Sequence, residues 1–144
     1  MLSTVAVGTD GSDTAAIAVD FAIDLARRYD ARLVIISSYR PVSETRLRRE
    51  QRDAPDEIQW SLNPTEDVDA ILAEVSEKAE LAGLKHTTVA SEGDPADVLV
   101  AQAEAQGADA LIIGNRGMQR RLLGSVPNTV AHKANCTVIV VKTT

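Results

Sequence analysis

Cysteine is nearly absent: Cys136 stands alone among 144 residues, so no internal disulfide can form. A single thiol in a chain of this length indicates a reducing compartment or indifference to redox. Long apolar runs are missing too, and none approaches the ~20 residues of a membrane span. The first residues read as a strand containing polar positions rather than a signal peptide, so a soluble cytoplasmic protein is expected. Basic residues are in deficit, 15 against 21 acids for a net charge of −6. That balance argues against general attraction to nucleic acid or acidic membranes. The two histidines, His86 and His132, are far apart and lack metal-ligand spacing, so they read as surface or helix-end residues. What remains is enough for one domain, which at this length buries about two-thirds of its unfolded surface without covalent staples.

The charge is unevenly spread. Asp53 to Gln106 holds 13 acids and 2 bases, whereas Gly107 to Thr144 holds 5 bases and one acid, Asp109. Apolar runs alternate with capped helical stretches. Thr4–Gly8 reads as a buried strand ending in the turn Thr9-Asp10-Gly11-Ser12. Ser12 caps a helix to about Tyr29, with Ala16, Val19, Ile23 and Ala26 on one face. Leu33–Ile36 is a second buried strand, closing at Ser37 and Ser38. Asn63-Pro64-Thr65-Glu66 opens a helix with the stripe Val68, Ile71, Leu72, Val75 and Ala79 and a stop at Gly83. A weak strand spans His86 to Ser91, and Asp94-Pro95-Ala96-Asp97 starts a helix that ends near Gly107. Ala110–Gly114 is a fourth strand, Ser125 begins a short helix, and Cys136–Val141 is a fifth strand. Apolar strands alternating with helices indicate an α/β fold, a parallel sheet covered on both faces. The segment 40–62 is an irregular connection rich in Arg that also holds Trp60. It reads as a solvated connection or as a lid or partner contact.

In such sheets ligands sit beyond the carboxyl ends of the strands, where strand order reverses. The turns after strands one and four are the candidates. Gly114-Asn115-Arg116-Gly117 leaves a strand, and Gly124-Ser125 opens a helix. Glycines admit close backbone approach, free amides at a helix start favour anions, and Arg116, Arg120 or Arg121 could offset phosphate charge. The pattern fits a phosphate cradle or a plain turn with a helix cap. It is not a P-loop, for no Gly-Lys-[Ser/Thr] is present. Nor does GxGxxG follow strand one. Asp10 can cap its turn with its carboxylate. No histidine is placed beside Ser12 or Ser125, so nucleophilic catalysis has no support. Cys136 opens a buried strand and reads as inert packing.

The run from Gly114 to Pro127, with Val5-Ala6-Val7-Gly8-Thr9-Asp10-Gly11-Ser12 and the closing apolar strand, resembles the universal stress proteins over essentially the whole chain. The resemblance implies an open five-stranded parallel sheet in the order 3-2-1-4-5, sandwiched by four helices. This is a Rossmann-like arrangement of the adenine nucleotide α-hydrolase type, dimerising through the last strand. It also implies a binder of ATP, with Thr9 and Asp10 beside the nucleotide and Asp10 as the candidate for magnesium. Gly114 and Gly117 match the glycines at ribose and phosphates, and Gly124 and Ser125 match the phosphate-binding turn. Asn115, Arg116 and Val126 lie within the motif, and Ser38 is assigned to the adenine side. The ATP-binding branch has nine residues between its second glycine and the Gly-Ser pair; this chain has six. The shorter loop offers fewer amides, which is expected to change the γ-phosphate contacts and could favour AMP or cyclic AMP. The expected role is a homodimeric sensor or regulator of stress rather than an enzyme, with slow ATP hydrolysis at most. Its rivals are a nucleotide-free interaction module and an enzyme of the related adenylate-transferring folds.

Overall fold

A computed structural model describes residues 2–40, 64–115 and 125–143. The elements are β1 (Thr4–Gly8), α1 (Asp13–Tyr29), β2 (Arg32–Tyr39), α2 (Pro64–Leu81), β3 (His86–Glu92), α3 (Pro95–Ala105), β4 (Ala110–Gly114), α4 (Ser125–Lys133) and β5 (Thr137–Val141). All strands are parallel, in the order β3-β2-β1-β4-β5, as the resemblance implies. Of the Arg-rich connection, all but Arg40 lies outside the described residues. Arg40 donates to Asp94 across 2.7 Å, an exposed pair of small energetic weight.

The apolar strands are explained by the two-residue repeat of extended chain, which sends successive side chains to opposite faces. Val5, Val7, Leu33, Ile35 and Ile112 face one side, where they pack with Ala18, Val19, Ala22 and Ala26 of α1 and Val68, Leu72, Val75 and Ala79 of α2. Ala6, Val34, Ile36, Leu111 and Ile113 face the other, against Ala96, Leu99 and Ala103 of α3 and Val130 of α4. The centre of the sheet is therefore apolar in every position. β3 is an edge strand with alternating exposure, which is why its sequence signal is weak. In α1 the buried stripe includes Ala18 and Ala22, whereas Ala16 and Ile23 are half-buried.

Two of the expected caps, Ser12 and Asp94, are in place, whereas Asn63 lies outside the described residues and Ser125 is the first residue of α4 rather than its cap. Ser12 Oγ accepts from the Ala15 amide at 3.1 Å, and the Asp94 carboxylate accepts from the Asp97 amide at 3.4 Å. At the opposite end of the sheet, Asp109 accepts from the Ser3 and Thr4 amides at 2.8 and 2.9 Å, tying the start of β1 to the approach to β4. The backbone bond from Thr4, then that from Ser3, holds its carboxyl below the usual carboxylate range. A folded-state pKa that is depressed adds stability above the unfolded value, and the gain is lost as pH falls through the folded value. Wild type should therefore be more stable than Asp109→Asn at neutral pH. Denaturant melts should show that difference shrinking as pH falls below the ordinary carboxylate range and vanishing once Asp109 is protonated in the fold. A gap that persists in acid would assign the effect to something other than the charge.

Candidate functional site

β1 leads into α1 on one face of the sheet, while the chain after β4 goes to α4 on the other. The adjoining ends of β1 and β4 thus diverge, and a cleft opens between them, as expected where strand order reverses. It encloses about 700 Å³ of empty space, its open mouth included. Its walls differ in chemistry. Ile36, Leu99, Ile113, Val126 and Pro127 make an apolar side, while Thr9, Asp10, Ser12, Thr14 and Ser38 supply polar groups.

The turn after β1 is tightly braced. The Thr9 amide donates to the Ile36 carbonyl at 3.0 Å, and Ser37 Oγ donates to the Thr9 carbonyl at 2.8 Å. Thr9 Oγ1 accepts from the Gly11 amide at 3.1 Å, and Asp10 Oδ1 accepts from the Ser12 amide at 3.0 Å. Asp10 therefore braces the turn and, as an exposed residue, also lines the cleft. Gly11 has φ of +80°, and a Cβ there would sit 2.6 Å from Ile71 Cγ1 of α2. The turn can lie against α2 in this shape because that residue is glycine.

Of the residues singled out from sequence, Thr9, Asp10, Ser38, Gly114 and Val126 line this one cleft. Ser125 is the exposed first residue of α4 and is not among the lining residues. Arg116, Gly117 and Gly124 lie outside the described residues. Asn115 is placed differently from its expected pocket-lining role. Its side chain is 2% exposed, and its Oδ1 accepts from both the amide and the hydroxyl of Thr143 at 2.7 Å. It does not line the cleft. Sequence reasoning missed Thr14 and Ala15 on the first turn of α1 and Pro95 and Leu99 on α3. Pro95 and Leu99 are four apart and share a helix face. Nothing in that spacing says the face lies over the end of β1.

Among the described residues, Asp10 is the sole carboxylate lining the cleft, and no lysine, arginine or histidine lines it. No group of three His, Cys, Asp or Glu side chains there could hold a metal ion. A divalent ion would fit at Asp10 only with ligand oxygens completing its shell. His86 is engaged elsewhere, 2.6 Å from Ser76 Oγ through Nε2 and 3.1 Å from the Leu84 carbonyl through Nδ1. Because a carbonyl only accepts, Nδ1 donates to Leu84, and the contact between Nε2 and Ser76 ties α2 to β3. Cys136 is half-buried, and burial pushes its thiol pKa up, away from the reactive thiolate. Among the described residues, no helix is long and apolar enough to cross a membrane.

Fold and cleft together define a doubly wound α/β protein with a mixed polar and apolar cleft at its topological switch point. The chain belongs to the universal stress protein family, whose model matches residues 1–142. A universal stress protein of Mycobacterium tuberculosis is 39% identical over 145 residues, 98% of this chain and 97% of that one. One from Methanocaldococcus jannaschii is 34% identical over 144 residues, 96% of this chain and 81% of its own length. The crystal structure of a universal stress protein in complex with cAMP aligns with a TM-score of 0.76 at 34% identity, covering 99% of this chain and 98% of that one.

Proposed function

We propose that this protein binds an adenine nucleotide in the cleft between the ends of β1 and β4 and acts as a homodimeric sensor or regulator of stress, not as an enzyme. The observation that carries the reading is the two-sided cleft itself. Its apolar wall of Ile36, Leu99, Ile113 and Val126 suits a base, and Asp10 suits ribose hydroxyls. The related structure in complex with cAMP, similar over nearly its whole length, supports the same ligand class. Dimerisation would use β5, an edge strand whose outer side has no neighbour among the described residues of this chain's sheet. No histidine among the described lining residues offers a general base, which supports binding without efficient hydrolysis.

A finer reading favours AMP or cyclic AMP over ATP. The loop between Gly117 and Gly124 has six residues and so few amides to give. Magnesium, where it accompanies ATP, would sit between Asp10 and phosphate oxygens. Thermal melts with ATP, ADP, AMP and cyclic AMP, each with and without magnesium, test both readings. A nucleotide at 100 times its Kd should add about 2.7 kcal/mol. AMP or cyclic AMP should stabilise more than ATP without magnesium. A larger shift with ATP would reverse the preference. No shift with any nucleotide would leave the nucleotide-free interaction module as the better account.

A further inference from the structure

Taking the cleft to hold an adenine nucleotide, as proposed above, we infer that Asn115 and Thr143 form a strap through which the chain beyond β5 sets the cleft's affinity. Asn115 is then a positioning residue for the cleft wall. It directly follows β4, and its side chain is among the few polar ones buried in the described residues. Such a side chain costs stability unless its polar atoms are paired. The partner here comes from 28 residues further along the chain. Both donors of Thr143, amide and hydroxyl, converge on Asn115 Oδ1 at 2.7 Å. The Asn115 amide in turn donates to the Val141 carbonyl at 3.0 Å, continuing the β4–β5 ladder one residue past Gly114.

The same threonine touches the site. A Cβ added to Gly114 would lie 3.3 Å from Thr143 Cγ2, so the Thr143 methyl rests close against Gly114, which lines the cleft. An apolar residue at 115 could fill the buried space, but it would leave this tail untied. The polar pair fixes one arrangement of the tail against the wall, and hydrogen bonds supply that direction where packing does not. Among the described residues β5 pairs with β4 alone, and strand ends of that kind open readily unless they are held. Ordering of the tail and ordering of the wall become one event. By linkage, a nucleotide held against Gly114 must steady Thr143 to the same degree that Thr143 strengthens binding.

The test compares AMP and cyclic AMP titrations of wild type, Thr143→Val, Thr143→Ser and a chain ending at Lys142, with circular dichroism as the folding control. Valine keeps the methyl and the amide but removes the hydroxyl donor; serine restores the donor. Thr143→Val and the shortened chain should bind about fivefold or more weakly. Thr143→Ser should recover most of that loss. Hydrogen exchange on wild type needs no variant, and the Thr143 amide should exchange more slowly in saturating ligand. The strap is overturned if both altered chains bind as wild type does, or if the Thr143 amide ignores the ligand. If wild type binds neither nucleotide, the cleft reading itself falls and the strap with it, an outcome distinct from normal binding by insensitive variants.

Discussion

Gly8→Val is expected to abolish the thermal stabilisation that AMP or cyclic AMP gives to the wild-type chain. Gly8 ends β1 and lines the cleft, and its φ is not in the left-handed region, so a valine backbone fits there. The side chain does not. A Cβ would lie 2.6 Å from Leu99 Cδ2 and 3.0 Å from Cδ1. Leu99 is 7% exposed and packed among α3, β2 and β4 residues, so it has little room to move outward. The valine and the displaced leucine would both take space at the base of the cleft. Overpacking of this kind costs about 1–3 kcal/mol, which a typical domain of this size survives. The unliganded variant should therefore melt cooperatively, at a lower temperature, and fail to gain the roughly 2.7 kcal/mol that wild type gains at 100 times Kd. A nucleotide shift that persists in Gly8→Val would place the ligand elsewhere.

Leu111→Ala should do the reverse, with a large loss of stability and little change in affinity. Leu111 is fully buried at the centre of the sheet, packed on the α3 and α4 side, and does not line the cleft. Truncating such a leucine removes its transfer energy and leaves a cavity, together about 2–5 kcal/mol. Against a total of about 5–15 kcal/mol, that is a large fraction. Urea melts should show a lower midpoint with an unchanged slope, and the Kd for AMP should match wild type wherever the variant is folded. A weakened Kd in the folded variant would mean that the cleft senses packing one layer below its floor. Read side by side, the two variants separate closing the site from loosening the frame.

Much of the architecture was legible in the residues. The runs Thr4–Gly8 and Ala110–Gly114 became β1 and β4 with the boundaries read from sequence. The stripe Val68, Leu72, Val75 and Ala79 is buried, while Ile71 instead lies against Gly11 of the turn after β1. β3 was weak because an edge strand needs no apolar residue on its exposed positions. Of the site, Thr9, Asp10, Gly114 and Val126 were accessible because their motifs are contiguous in the chain. Ser38 followed from its place at a strand end. Pro95 and Leu99 were not, since a crossover helix shows its periodicity and not the strand ends it will cover.

The sequence by itself determined which segments are strands and helices, that the sheet is parallel and covered on both faces, and which family the chain belongs to. The elements and the sheet follow from local signals, namely apolar period, caps and turn glycines, and the family follows from the resemblance of the chain's motifs to the universal stress proteins. Only the tertiary structure decided that α3 closes one wall of the cleft and that Asp10 both braces a turn and lines that cleft. It also decided that Asn115 serves Thr143 rather than the cleft lining. Those outcomes depend on contacts between residues far apart in the chain. Hydrophobic periodicity fixes which face of an element is buried, but not which distant polar group will meet it there.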